Sequence, residues 1–352
     1  MFKVFMVLIC FFFLTNSVHA NEWGSRKSLN IKKNSESIIP YHVLSLDGGG
    51  IRGVFSARLL AMLEEEFHFI QYVDLFVGTS TGSILACALA YGISPKEIVE
   101  FYRRNALEIF KLKGGIYGYF LMQAKYERDN FKKILESVFQ DNVNLSDLPK
   151  KVVCISFELR NPEYDCWTPA LIDNFDLKKD KQIKVVDSIL RSTAAPTYFP
   201  SYQGFIDGEA VANNPSMMAF ARAMDSEGAG QPLENIRLLS VGTGIIKSYI
   251  PEDVDWGAYE WLVSAPYSSP TPSHPLFDIL YNGTISVPHF QLSQILGPFY
   301  QRLNAFLSKD LLLDDCHEVE FLISEAEKFP VREPEEWERI KAWVRENFLR
   351  EK

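Results

Sequence analysis

Val73-Asp74-Leu75-Phe76-Val77 is a short, mostly apolar run, Gly78-Thr79-Ser80-Thr81-Gly82 a glycine-bounded turn, and Ser83 to Ala90 a stretch of small and apolar residues. The three pieces read as strand, tight turn and helix. The same grammar appears upstream. Tyr41 to Leu46 (YHVLSL) reads as a buried strand, Asp47-Gly48-Gly49-Gly50 as a turn, and Val54 to Phe67 as a helix. Further strands are expected at Val152 to Phe157 and Leu238 to Val241. Strands alternating with helices predict an α/β fold, with a mostly parallel central sheet and helices on both faces.

The turn at Ser80 is a G-x-S-x-G pentapeptide, and its context gives the pattern meaning. A serine on a sharp strand-to-helix turn projects its Oγ over the sheet edge. Glycines at 78 and 82 remove the side chains that would collide around so tight an elbow. Ser80 is therefore the candidate nucleophile; the plain alternative is an ordinary βα connection. In Asp47-Gly48-Gly49-Gly50-Ile51-Arg52-Gly53, three successive amides have no side chains in the way, which suits an anion or oxyanion site. Gly48, Gly50 and Gly53 also satisfy G-x-G-x-x-G, but the next strand ends in Gly-Thr-Ser rather than in an acidic residue for a ribose. A P-loop fails because Val54 and Phe55 stand where Lys and Ser/Thr should follow Gly53.

A serine nucleophile needs a proton acceptor. His42, His68, His274, His289 and His317 lie in no motif that suggests catalysis. The acidic candidate is Asp207, in Phe205-Ile206-Asp207-Gly208-Glu209; Asp-Gly after apolar residues is also a common structural turn. An ordinary aspartate, with a pKa of about 3.9, is a weak base toward serine. A carboxylate desolvated in an apolar cleft is a stronger one.

From about residue 41 to 245 the chain resembles the patatin-like phospholipases. The resemblance rests on motifs in a fixed order: the DGGGIRG loop, GTSTG, Ser192 to Pro200 (STAAPTYFP), Asp207-Gly208, Asn213-Asn214-Pro215 and Val241-Gly242-Thr243-Gly244. It implies a three-layer α/β/α fold and a lipid acyl hydrolase with a Ser–Asp dyad. Ser80 matches the nucleophile, Asp207 the base, and Gly48, Gly49, Gly50 and Arg52 the oxyanion loop, with the Gly49 and Gly50 amides expected to hold the oxyanion. Arg52 either braces that loop or meets a substrate phosphate. One departure is Glu209, where the family usually has Gly or Ala; it either raises the pKa of Asp207 or points to water. The rival readings are a Ser–His–Asp esterase using His274, His289 or His317, and a non-catalytic storage or interaction protein on the same fold.

Composition bounds the rest. The chain has 352 residues, 47% hydrophobic and 23% charged, a globular balance. A formal net charge of -9 argues against nucleic acid as a partner and against electrostatic adhesion to anionic membranes. A phospholipid or other acyl lipid, met at a membrane or micelle surface, is the expected substrate. No His/Cys/Asp cluster has metal-ligand spacing, and no cofactor or activating protein is called for. Lys3, the apolar run Val4 to Leu14 and Val18-His19-Ala20 read as a cleavable signal peptide over residues 1–20, hence a secreted or periplasmic protein. Residues 21–38 read as a flexible lead-in, 39–310 as the catalytic domain and 311–352 as a C-terminal helical extension, with an amphipathic helix over Pro334 to Arg350. Signal removal leaves Cys87, Cys154, Cys166 and Cys316, either paired or as four buried thiols. The stretch from Trp256 to Phe306 is weakly periodic and predicts loops and short helices. Its aromatics Trp256, Tyr259, Trp261, Tyr267 and Phe277 are expected at the mouth of the acyl cleft.

Overall fold

A computed structural model describes residues 39–113, 123–140, 142–175, 183–263, 271–272 and 274–349. The signal-peptide and lead-in readings of residues 1–38 therefore lie outside the described residues, as does Tyr267. The strands are β1 (Tyr41–Leu46), β2 (Leu75–Thr79), β3 (Lys151–Asn161), β4 (Cys166–Asp173), β5 (Phe205–Asp207), β6 (Ile236–Val241) and β7 (Tyr300–Leu303). The helices are α1 (Gly53–Phe67), α2 (Thr81–Tyr91), α3 (Pro95–Ile109), α4 (Arg128–Phe139), α5 (Val185–Ser192), α6 (Glu209–Ala212), α7 (Ser216–Met224), α8 (Ala258–Leu262), α9 (Pro275–Ile295), α10 (Val319–Arg332) and α11 (Pro334–Phe348).

The strands form one sheet in the order β4-β3-β2-β1-β6-β7, with β5 added to β3. The pairs β3–β2, β2–β1, β1–β6 and β6–β7 are parallel; only β4 and β5 run against β3. Alternation along the strands divides the core in two. Leu44, Leu46, Phe76, Val152 and Cys154 face the helices α1 to α5, α10 and α11. Val43, Leu75, Val77, Val153 and Ile155 face α7 and the end of α9. The result is the three-layer α/β/α arrangement, mostly parallel, that the sequence predicts.

The register along β3 places the site. Lys151 to Ile155 of β3 pair with Leu75 to Thr79 of β2. β4 occupies the other edge of β3, so β5 takes up the β2 edge where β2 stops, with Ser156 opposite Asp207. Thr79 and Asp207 thus face consecutive residues of β3.

The structure corrects two expectations. Trp256 to Phe306 is not a run of short helices: it contains the 21-residue α9. Hydrophobic periodicity is weak there because α9 is apolar on both faces, one packed on the site and one open. The cysteines are not all buried either. Cys87 and Cys154 are buried, with sulfurs 3.4 Å apart, whereas Cys166 is exposed and Cys316 half-buried, and all are free thiols. At the C-terminus, Trp337, Ile340, Val344 and Phe348 are buried, and Phe348 packs on His42 and Phe69.

Candidate active site

Ser80 joins β2 to α2 with φ 54° and ψ -123°, a conformation that L-residues adopt only under constraint. The constraint is steric. A Cβ at position 78 would overlap the Gly82 carbonyl, and one at 82 would overlap the Leu46 carbonyl at the end of β1. Both glycines let the elbow close against its neighbouring strand. A hydroxyl from the end of α5 braces the turn: Ser192 Oγ accepts the Ser80 amide at 3.0 Å and lies 2.7 Å from Ser83 Oγ. Sequence alone gives Ser192 no specific role, although it opens the STAAPTYFP stretch.

Ser80 Oγ donates to Asp207 Oδ2 at 2.6 Å. Asp207 is fully buried, and its other oxygen accepts the Glu209 amide at 2.9 Å. Burial pushes the Asp207 carboxyl well above the usual carboxylate range, and the nearby Glu209 carboxylate pushes it the same way. The Ser80 hydroxyl and the Glu209 amide pull in the opposite direction and are outweighed. Glu209 does not simply point to water: it lines the same cavity as Ser80. Burial raises it to about 7, against the opposing pull of Arg52. Two of the described histidines are engaged with groups other than Ser80. His289 Nδ1 lies 3.1 Å from the Tyr300 hydroxyl, and His42 Nδ1 lies 3.0 Å from the Tyr72 carbonyl.

The glycine loop is fixed from beneath. Gly48 donates its amide to the Asn213 carbonyl at 2.9 Å, and its own carbonyl accepts from Thr243 Oγ1 at 2.9 Å and Asn213 Nδ2 at 3.3 Å. The Gly48 amide is thus already used, whereas those of Gly49 and Gly50, the donors expected from the sequence, bond to no backbone carbonyl among the described residues. Arg52 is buried and reaches back to the Gly49 carbonyl through Nε at 3.4 Å, a bracing contact. Asp47, at the loop's start, forms a two-pronged ion pair with Arg302 at the end of the sheet, one arm 2.8 Å long. Arg302 and Tyr281 are participants that sequence reasoning missed. Tyr281, on α9, has its hydroxyl buried without a hydrogen-bond partner among the described residues. The charges of Arg52, Glu209, Asp47 and Asp207 all act on it. Of the expected aromatics, Trp256 packs edge-on against Trp261, while Tyr259 and Phe277 are exposed.

The family model for patatin-like phospholipase matches residues 44–220, which contain the whole serine–aspartate arrangement. Protein teg of Priestia megaterium is 32% identical over 281 residues, covering 75% of this chain and 87% of that protein. A cGAMP-activated phospholipase of Vibrio cholerae is 32% identical over 228 residues, covering 57% of this chain and 63% of its own. Patatin-like protein 1 of Arabidopsis thaliana is 26% identical over 302 residues, covering 72% and 70% respectively.

The Asp47–Arg302 pair yields a stability prediction. Arg302→Ala leaves a buried carboxylate without its counter-charge, which costs roughly 3–5 kcal/mol. Pairing it with Asp47→Asn should recover much of that loss. Urea unfolding of the single and double variants measures both; a single-variant loss below about 1 kcal/mol would show that the pair does not anchor the loop.

Proposed function

Because this chain belongs to the patatin-like phospholipase family it is a lipid hydrolase, and we propose that it cleaves fatty acyl esters through an acyl-enzyme on Ser80 with Asp207 as general base. The observation that carries this reading is the 2.6 Å hydrogen bond from Ser80 Oγ to a fully buried carboxylate. Desolvation makes that carboxylate basic enough to accept the serine proton as Oγ bonds to the ester carbonyl carbon. The carbonyl oxygen becomes an oxyanion held by the Gly49 and Gly50 amides, a preorganised site that gains strength as charge develops. The proton on Asp207 then passes to the departing alcohol oxygen, the ester C–O bond breaks and acyl-Ser80 remains. Asp207 next removes a proton from water, which attacks the acyl carbonyl, and the fatty acid leaves as Ser80 recovers its proton. No other described group replaces Asp207 in this scheme, since the Ser80 hydroxyl bonds to it directly.

The substrate's surface is met, on this reading, by α9. Phe277, Leu280, Val287 and Phe290 of that helix are 59%, 61%, 52% and 65% exposed. Asp278 is the one residue among its 21 with a carboxylate or a Lys/Arg cation. Exposed apolar area of this kind marks an interaction surface. The same helix touches the site: Thr284 Oγ1 accepts the Asn213 amide at 3.3 Å, and the Ile285 carbonyl accepts Asn214 Nδ2 at 3.0 Å. No described helix is long and apolar enough to cross a membrane. An uncharged face on a chain of net charge -9 suits a zwitterionic lipid surface better than an anionic one.

Three outcomes follow from this reading. Ser80→Ala and Asp207→Ala each lower kcat on a soluble ester by roughly 10⁴-fold or more with the fold intact, whereas His289→Ala leaves most activity; the reverse pattern would establish a histidine mechanism instead. In the pH–rate profile, activity falls on the acid side as Asp207 gains a proton. The Glu209 carboxylate raises the Asp207 pKa, so Glu209→Gln must move that limb to lower pH. A limb that stays in place, or moves up, contradicts the coupling. Finally, the double variant Leu280→Asp/Phe290→Asp should weaken binding to phosphatidylcholine vesicles at least about tenfold, given the apolar area lost. Its turnover of a short soluble ester stays near wild type. Steep salt dependence of vesicle binding, or equal losses on both substrates, would refute apolar docking.

A further inference from the structure

Two cavities lie along the seam where α3 and α4 pack beside α2. The first adjoins Ser80 and is closed in by Ile84, Tyr102, Ile109, Phe110 and Phe131; its volume is about 40 Å³. That holds only a few waters and cannot take a fatty acyl chain. The second is about 490 Å³ and is lined by Ile84, Ala88, Ile98, Phe101, Val138 and Phe139. That is within the range of roughly 300–1,000 Å³ typical of ligand pockets. Ile84, on the first turn of α2, is a wall of both. α3 contributes Tyr102 and Ile109 to the first cavity and Ile98, Phe101, Arg104 and Asn105 to the second, so the two lie against adjoining faces of that helix. α4 contributes its first turn (Phe131) to the first and its last (Val138, Phe139) to the second. The two spaces are therefore neighbours between the same helices, separated by Ile84, and the first of them adjoins the serine.

The polar groups around the larger cavity are mostly committed to the protein. Glu97 accepts the amide and hydroxyl of Ser94, and Glu100 pairs with Arg103. Asn105 Nδ2 donates to the Phe101 carbonyl and Ser137 Oγ to the Ile134 carbonyl. Arg104 stands at the exposed side of the cavity, and the rest of the wall, Ile84, Ala88, Ile98, Phe101, Val138 and Phe139, is aliphatic and aromatic surface, which favours a hydrocarbon chain whose end lies inside.

From this we infer that the larger cavity holds the distal part of the substrate's acyl chain, which passes Ile84 on its way from Ser80, so that Ile84 governs the chain length accepted. The inference rests on the acyl-enzyme reading above for the position of the ester. A short acyl group needs only the space at Ser80. A long one must displace the Ile84 side chain and then gains apolar contact in the second cavity.

The test uses p-nitrophenyl palmitate and p-nitrophenyl butyrate in the same detergent, with the ratio of their kcat/KM values as the readout. Ser137→Trp, placed on the exposed last turn of α4, fills the larger cavity without touching the smaller, and should lower the palmitate-to-butyrate ratio about tenfold. Ile84→Ala opens the passage and should raise it. A ratio unchanged in both variants, with circular dichroism showing intact folds, overturns the inference. A second measurement separates it from the catalytic reading: calorimetric titration of Ser80→Ala with palmitate, with and without Ser137→Trp. Palmitate binding removed by Ser137→Trp supports the cavity assignment even if the wild type hydrolyses neither ester, an outcome that sinks the catalytic reading alone. Binding that Ser137→Trp leaves intact sinks the cavity assignment.

Discussion

The register of β3 is the constraint on which the site depends. One strand edge is shared in sequence by β2 and β5, so Thr79 and Asp207 face neighbouring residues, Ile155 and Ser156. Ser80 follows Thr79 directly, and the elbow turns its hydroxyl onto the carboxylate. The parallel pair β2–β3 and the antiparallel pair β3–β5 are both backbone ladders, rigid on the scale of a hydrogen bond. A serine and an aspartate 127 residues apart are held at 2.6 Å by main-chain geometry. Side-chain packing then has only to exclude water from them.

Excluding water gathers charge in an unusual density. Asp47, Asp207, Glu209, Arg52 and Arg302 cluster around one end of the sheet, and several are almost wholly shielded from solvent. Buried charges are tolerated when paired and hydrogen-bonded. Asp47 meets that condition through Arg302, which locks the glycine loop to the last strand. Among the described residues Asp207 bonds to the Ser80 hydroxyl and the Glu209 amide and to no cationic side chain. That contrast is what the proposed role of Asp207 as base requires: the structural carboxylate is paired with a cation and the other is not. Arg52 stands between the two roles, bonded to the Gly49 carbonyl and pulling against the burial of Glu209.

Much of this is legible in the amino-acid sequence. The strands expected at Tyr41 to Leu46 and Leu238 to Val241, the latter two residues longer in the structure, and the strand–turn–helix at Ser80 follow from short apolar runs bounded by glycine. The pairing of Ser80 with Asp207 follows from the lack of a suitable histidine and from motif order, and the two side chains do meet. Other features leave weaker traces. Arg302 sits on a four-residue strand, too short for a periodic signal, and its partner Asp47 reads as a turn residue. Helix α9 is hidden because both of its faces are apolar and Pro288 interrupts it, so neither amphipathic spacing nor composition marks it as one helix. Tyr281 is hidden with it. The neighbours of Gly48 along the chain give no sign that its amide is occupied; only the folded chain brings the Asn213 carbonyl to it. Local chemistry is written in local sequence, while partners supplied by distant loops are not.

The central claim is that Ser80, activated by the buried Asp207, carries the acyl group. Intact-protein and peptide mass spectrometry after incubation with a fluorophosphonate tests it most directly, because the probe bonds covalently to an activated serine. The account predicts one adduct, located on Ser80, formed in wild type and nearly abolished by Asp207→Asn. An adduct on another residue, or undiminished labelling of Ser80 in Asp207→Asn, would contradict it.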